Sequence, residues 1–220
     1  MRLAIVAATG ATGRHVLEQA LHSDHDVTAL VRDPAKLTVE VAAVRTDLAD
    51  PDPTALAEAV RGADAVISAL GATSTTEAGV AETGTRAVIE AMRLAGVDRL
   101  VVLSAAAIGT VPTATRPDKP RHDPGEGWLM RRIMSVLKRA LKEHYDDLAV
   151  MEDLVIDSGL EWTIVRPPRL TDKPATGRYR TTVGHQPRHG WRIARADVAH
   201  AMLRAATSSA SSRQVVGVAN

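Results

Sequence analysis

Unbroken apolar runs alternate with stretches of helical spacing along most of the chain. Residues 2–8 (RLAIVAA) and 26–31 (DVTALV) are apolar almost throughout, whereas the stretch between them repeats apolar side chains three and four residues apart. Continuous apolar runs are typical of parallel strands that are covered on both faces. The order strand, helix, strand therefore predicts an α/β fold with a doubly wound, mostly parallel sheet.

The same patterns predict the remaining elements. Strands are expected within 41–48 and at 63–71, 98–105, 161–167 and 214–219, and helices at 53–62, 81–96, 128–158 (with a break near His144) and 195–207. Residues 178–193 suggest a short hairpin or an irregular excursion. We predict a single domain over residues 1–220, in which 113–160 and 168–195 form a lid over the substrate side.

Composition narrows the class of protein. Hydrophobic residues make up 45% of the chain and aromatic residues 2%, so the core must be built from Ala, Val, Leu and Ile. The net charge of +1 predicts no general attraction to nucleic acid or to a membrane. There is no cysteine, which excludes disulfide and thiolate chemistry. With no bilayer-length apolar run and no signal-peptide pattern, we expect a cytoplasmic protein.

A glycine pair stands between the first strand and the first helix. Gly10 allows a tight turn, and Gly13 would let the backbone approach a pyrophosphate at the helix N-terminus. This is the context of a Rossmann-like dinucleotide site, although Val16 replaces the third glycine of the usual pattern. An ordinary structural turn is the alternative. The predicted cofactor turn comprises Gly10, Ala11, Thr12, Gly13, Arg14 and His15.

The residue after the second strand bears on the choice of cofactor. Arg32 stands where an acidic residue would bind the ribose of NAD, and a guanidinium there suits the 2′-phosphate of NADP. Arg14 could reach the same phosphate. We therefore predict NADPH, with pairing of Arg32 to Asp33 or another surface carboxylate as the alternative.

Two further strand ends carry candidate cofactor contacts. Asp47 could accept a hydrogen bond from the adenine amino group while Leu48 packs on the ring, or Asp47 could simply form a turn before Pro51. Leu70 and Gly71 follow the fourth strand, and Gly71 would let the backbone pass close to the ribose. A role for Gly71 in the turn alone is the alternative.

Several segments together resemble a known family. They are TGATGRHV, LVRDPAKL, TDLADP, ISALGA, LVVLSA and SGLEWTIVRPPRLTDKPATGRYR. The chain resembles the atypical short-chain dehydrogenases over nearly its whole length, with the NmrA-like NAD(P)H-binding proteins and the flavin reductase/biliverdin-IXβ reductase type as the nearest subgroups. The resemblance implies NADPH bound at the carboxyl ends of the strands and hydride transfer to a planar, conjugated acceptor such as a flavin, a tetrapyrrole or a quinone.

The resemblance also implies a reacting end, with two departures. Ser104 matches the family serine beside the nicotinamide, where it could contact the acceptor or the carboxamide, but Tyr145 is followed four residues later by Ala149, so the YxxxK pair is absent. Tyr145 or His144 could still donate a proton. A histidine follows the Pro–Pro pair in the flavin reductase type, whereas here Pro168 precedes Arg169. Arg169 could stabilise charge on the reduced acceptor or pair with Asp172.

The remaining predictions concern alternative functions, a metal site and binding partners. The lost YxxxK pair also fits a non-catalytic NmrA-like redox sensor that acts through a protein partner, and a sugar epimerase or dehydratase is a weaker alternative. We predict no metal site, because the sequence around His185 and His189 does not favour a helix. The expected partner is a small aromatic or quinone-like substrate, with no nucleic acid or membrane, in a monomer or homodimer.

Overall fold

The computed structural model describes residues 1–71, 79–124, 127, 132, 136 and 138–220. Its strands are β1 (Arg2–Val6), β2 (Asp26–Val31), β3 (Ala42–Arg45), β4 (Ala65–Ser68), β5 (Arg99–Leu103), β6 (Glu161–Arg166), β7 (Arg169–Thr171), β8 (Arg180–Val183), β9 (Arg192–Ala194) and β10 (Gln214–Ala219). The described helices with bounds are α1 (Gly13–His22), α2 (Pro53–Val60), α3 (Val80–Ala95), α4 (Lys142–Ile156) and α5 (Arg195–Ala206).

Eight strands form one sheet in the order β3-β2-β1-β4-β5-β6-β10-β8. Every neighbouring pair is parallel except β10 and β8, which are antiparallel. The strand order reverses between β1 and β4, and open α/β sheets bind their ligands outside the carboxyl ends of the strands at such a point. The predicted Rossmann-like, mostly parallel α/β fold is confirmed.

Alternation along the strands divides the core into two layers. In β1, Ala4 and Val6 face the layer formed with α2, α3 and α4, whereas Leu3 and Ile5 face the layer formed with α1 and α5. A parallel sheet covered on both faces needs apolar side chains on both sides, which is why its strands appear as unbroken apolar runs. Within the described ranges, no helix combines the length and the apolar character needed to cross a membrane.

Of the two alternatives predicted for 178–193, a short hairpin or an irregular excursion, the hairpin is wrong. Strand β8 pairs with β10, in register Val183 with Val216, and β9 pairs in parallel with β7, in register Arg192 with Arg169. Both pairings join segments distant in sequence, so the local pattern that suggested a hairpin carried no information about the partners. The predicted helix over 128–158 is α4 from Lys142 onward, and much of its first half lies outside the described residues.

Helix α4 also supplies the cap of a neighbouring helix. The residue before α3 is Gly79, which has no side chain to accept from the first N–H groups. The Asp147 carboxylate takes that role, because it accepts from the N–H of Ala81 at 3.2 Å and of Glu82 at 2.8 Å. The two helices are thereby joined beside the carboxyl edge of the sheet.

Candidate cofactor and active site

The turn after β1 presents free N–H groups at the start of α1. Gly10 N–H donates to Ala7 O at 2.9 Å and closes the turn. Among the described residues, no hydrogen bond uses the N–H of Ala11, Thr12 or Gly13, and the first turn of α1 holds no acidic side chain. Free N–H groups at the positive end of a helix dipole suit a phosphate. The turn therefore fits the pyrophosphate of a dinucleotide.

Gly13 also allows close packing between the start of α1 and the end of β1. A Cβ at Gly13 would lie 2.1 Å from Ala7 O and 3.1 Å from the Ala8 Cα. Gly13 thus allows α1 to pass directly against the end of β1. Val16 is fully buried in the layer between α1 and the sheet.

Two arginines follow the strand ends at this edge. Arg14 lies in the first turn of α1, Arg32 directly follows β2, and both are exposed. The Asp33 carboxylate bonds to the backbone that follows it, because its Oδ1 accepts from Ala35 N–H at 3.1 Å. His15 lies 3.4 Å from the Glu18 carboxylate along the helix. The cofactor contacts of Arg14, His15 and Arg32 stay predictions.

The two residues predicted to contact adenine have structural roles: Asp47 forms a turn and Leu48 packs in the core. Asp47 Oδ1 accepts from Ala49 N–H at 3.0 Å, so the turn that was the alternative is present. Leu48 is 6% exposed and packs in the core. A Cβ at Gly84 of α3 would lie 3.0 Å from Leu48 Cβ and 2.6 Å from Leu70 Cδ2. Leu48 and Leu70 are therefore core residues first, and only a narrow edge of Leu48 is left for an adenine ring.

Gly71 faces open space. A Cβ at this position would meet nothing within 4 Å among the described atoms, and its φ is not in the left-handed region. The backbone angle of residue 71 therefore does not itself require glycine. Space beside the backbone at the end of β4 agrees with close passage of a ribose, which stays a prediction.

Ser104 follows β5 and belongs to a buried polar network that we did not predict. Its Oγ donates to Glu152 Oε1 at 2.6 Å. Glu152 Oε1 also accepts from Arg166 Nε at 2.7 Å, and its Oε2 accepts from Arg166 Nη2. Exposure is 7% for Ser104, 1% for Glu152 and 7% for Arg166. The sequence did carry one signal for this network. Glu152 lies seven residues after Tyr145, so the two residues share one face of the helix, and that face is buried.

The surrounding backbone is shaped to this network. A Cβ at Gly109 would lie 2.5 Å from Arg166 Nη1, so the absence of a side chain there makes room for the guanidinium. Gln186 Nε2 donates to Arg166 O at 3.0 Å, and Ala106 N–H donates to Pro167 O at 2.8 Å. The loop after Ser104 and the end of β6 are thereby held side by side.

Tyr145 lies inside the protein. It is 7% exposed and packs in the layer that contains Ile108 and Val111, so the alternative of a partly exposed helix residue is wrong. The His144 ring stands edge-on to it at 6.3 Å. Ala149, at the position of the family lysine, is fully buried. Proton donation by Tyr145 stays a prediction.

Arg169 and Arg192 are neighbours in the two-stranded ladder of β7 and β9. The adjacent residues Leu170 and Ile193 face the core, so alternation places both guanidinium groups on the opposite, exposed side. Asp172 binds Arg195 Nη1 at 2.6 Å, and the ion pairs among the described residues include none between Arg169 and Asp172. Pro168 separates Arg169 from the Pro167 carbonyl that Ala106 contacts. Positive charge therefore begins two residues after Pro167, whose carbonyl accepts from the loop that follows Ser104.

The loop after β5 is fastened to α4 by a second buried carboxylate. Asp153 accepts from the hydroxyl of Thr113 and, at 2.9 Å, from that of Thr115, and Lys119 Nζ lies 2.9 Å away. Burial, the largest effect, raises the pKa of Asp153, but the hydrogen bonds from Thr113, Lys119 and Thr115 together bring that pKa below its usual value. This part of the predicted lid is therefore anchored to the fold.

A metal centre has no support in the part of the chain that the structure describes. No group there brings together three His, Cys, Asp or Glu side chains that could bind a metal ion. His185 Nδ1 instead lies 2.9 Å from Gln186 O.

Comparison with known proteins agrees with this geometry. A model of a family described as NAD(P)H-binding matches residues 7–209. The chain is 28% identical over 187 residues to YhfK of Bacillus subtilis, which is called an uncharacterized sugar epimerase, with 80% of this chain and 76% of that protein covered.

Two solved structures share the fold over the whole chain. A putative NADH-flavin reductase from Streptococcus pneumoniae superposes with a TM-score of 0.76 at 23% identity, covering 100% of this chain and 99% of that one. ChuY, an anaerobillin reductase from Escherichia coli O157:H7, gives a TM-score of 0.76 at 24% identity, covering 100% and 97%. At these identities, the likeness shows the fold alone.

Proposed function

The chain belongs to the NAD(P)H-binding family, and we propose that it is an NADPH-dependent reductase that passes hydride to a planar, conjugated acceptor such as a flavin or a quinone. The observation that carries this proposal is one shared edge of the sheet. The free N–H groups of the turn after β1 and the Ser104 network after β5 both lie at carboxyl ends of parallel strands. Such an edge can hold a dinucleotide along its length.

The preference for NADPH is supported by the two exposed arginines. Arg14 and Arg32 can each bind a phosphate with charge-assisted hydrogen bonds. Asp33, the acid that would otherwise serve the ribose hydroxyls of NAD, already accepts from Ala35 N–H. The adjoining residues therefore favour a 2′-phosphate over a free hydroxyl.

The kind of acceptor follows from the groups around Ser104. Bound NADPH supplies the hydride. Ala149 offers no lysine, and the Tyr145 side chain is buried in the core, so we expect acceptors that need little acid catalysis and take their proton from water. Arg169 supplies a positive charge to stabilise the reduced acceptor. A putative NADH-flavin reductase and an anaerobillin reductase have the same fold.

A non-catalytic redox sensor is the second candidate. The buried Tyr145 and the missing lysine favour it, because a sensor needs the dinucleotide turn without any proton donor. The same absence of a Tyr–Lys pair weighs against a sugar epimerase or dehydratase.

The test is NADPH oxidation, followed by absorbance, with FMN, riboflavin and simple naphthoquinones as acceptors and NADH run in parallel. We expect saturable turnover with NADPH preferred. A protein that binds NADPH tightly but turns over no acceptor in the panel would favour the sensor. A protein that binds neither NADPH nor NADH would contradict both candidates.

A further inference from the structure

The hydroxyl of Ser104 has one proton, and the structure shows where it goes. Arg166 offers two N–H donors to the Glu152 carboxylate and has no acceptor of its own. The carboxylate that receives these two N–H bonds has only acceptor oxygens to offer the serine. The hydrogen bond of 2.6 Å between Ser104 Oγ and Glu152 Oε1 is therefore donated by the serine.

We propose that Glu152 is a positioning residue that makes Ser104 a hydrogen-bond acceptor towards the ligand. With its proton held by Glu152, Ser104 Oγ can offer only lone pairs to the crevice. A ligand group that forms a hydrogen bond with it must then be the donor. This inference rests on the proposed function, and the donor is either the carboxamide of the nicotinamide or a ring N–H of the acceptor.

Burial fixes this direction. Turning the Ser104 hydroxyl towards a ligand carbonyl would remove one hydrogen bond from a carboxylate that is 1% exposed. A lost bond to a buried charged group costs more than a bond between neutral partners gains. Gly109 leaves the guanidinium of Arg166 its place, so the ion pair holds the carboxylate still. Donation of a hydrogen bond from Ser104 to a ligand carbonyl is therefore unfavourable.

The first arm of the test measures cofactor binding and needs no turnover. NADP is compared with its 3-acetylpyridine analogue, in which a methyl ketone replaces the carboxamide and no N–H remains. If the carboxamide is the donor, the wild-type protein binds the analogue about 3- to 10-fold more weakly. Ser104→Ala, which removes the hydroxyl, and Glu152→Met, which removes its acceptor, bring that ratio towards one.

The second arm measures the acceptor. Lumiflavin is compared with 3-methyl-lumiflavin, which lacks the ring N–H at that position, by binding and by KM. If the hydride acceptor supplies the N–H that bonds to Ser104, methylation raises KM in the wild type. The same two variants then remove the difference. The arm that shows the effect identifies the source of the N–H.

The matched control is Asp153→Asn. Asp153 is the next residue on α4, is also a buried carboxylate, and bonds to the loop hydroxyls and Lys119 instead of Ser104. It should lose stability and keep the wild-type ratios. If Glu152→Met does not fold, the double variant Glu152→Met with Arg166→Met removes both charges together, since paired removal spares the fold an isolated buried charge.

The outcomes are separable. Wild-type ratios near one in both arms would overturn the acceptor role of Ser104. Folded Glu152 variants that keep a wild-type ratio would overturn the positioning role of Glu152. Wild-type protein that binds no NADP at all would refute the proposed function itself, and the inference would fall with it.

Discussion

Replacement of Gly13 by alanine tests how closely α1 approaches the first strand. The new Cβ would lie 2.1 Å from Ala7 O, and such atoms essentially never approach within 3.0 Å, so the helix start must retreat by about 0.9 Å. Overpacking of this kind costs about 1–3 kcal/mol of unfolding free energy. Alanine is otherwise the better helix former by up to about 1 kcal/mol, so the steric argument predicts the opposite sign from helix propensity.

The retreat also moves the free N–H groups away from the phosphate. Displacements of about 1 Å in a binding constellation can cost on the order of 100-fold. We expect the melting temperature of Gly13→Ala to fall by roughly 3–10 °C and its NADPH affinity to fall at least tenfold in a fluorescence titration.

Gly10→Ala is the steric control for stability. Its Cβ would lie 3.2 Å from the same oxygen, which requires a shift of only a few tenths of an ångström. We expect its unfolding free energy to stay within about 1 kcal/mol of the wild type. A Gly13→Ala protein as stable as wild type, with unchanged affinity, would refute the close-approach argument.

Substitutions at three further residues test other parts of the molecule. Arg32→Glu should weaken NADPH binding about 10- to 150-fold with little change for NADH, measured by titration; equal effects on both cofactors would contradict the phosphate contact. Asp147→Ala should lower the unfolding free energy by about 1–3 kcal/mol, because two N–H groups of α3 lose their acceptor. Asp147→Asn has one acceptor oxygen in place of two, so it should recover only part of the loss in thermal melts. Asp153 has a pKa below its ordinary 3.8, so it stabilises the fold above that pH and the contribution is lost as pH falls through the lower value. Acid titrations of stability should therefore show wild type and Asp153→Asn converging below about pH 4, whereas a constant gap would contradict the shift.

The sequence was most informative where a pattern repeats locally. Strands β2 and β10 were predicted with their observed bounds, because an apolar run between polar ends marks a covered strand without reference to its partner. The glycine turn was found for the same reason. Local patterns do not identify partners, so the antiparallel pairing of β8 with β10 and the ladder of β7 with β9 were missed.

The candidate site shows the same division. Ser104 was identified by its place after β5, but its partners lie 48 and 62 residues further along the chain and are joined to it only by the fold. Arg166 was hidden within the strand motif EWTIVR, where it resembled a strand end. Gly84 and Gly109 gave no signal, because each is needed for a neighbour distant in sequence.

Helix α4 joins three carboxylates that serve three different places. Asp147 holds the start of α3, Glu152 holds Ser104 and Arg166, and Asp153 holds the loop after β5. A single rotation of α4 about its axis would disturb all three contacts at once. The position of this helix therefore sets the start of α3, the Ser104 network and the loop after β5 together. In hydrogen exchange, the start of α3 and the amides of α4 should therefore open together, as one cooperative unit.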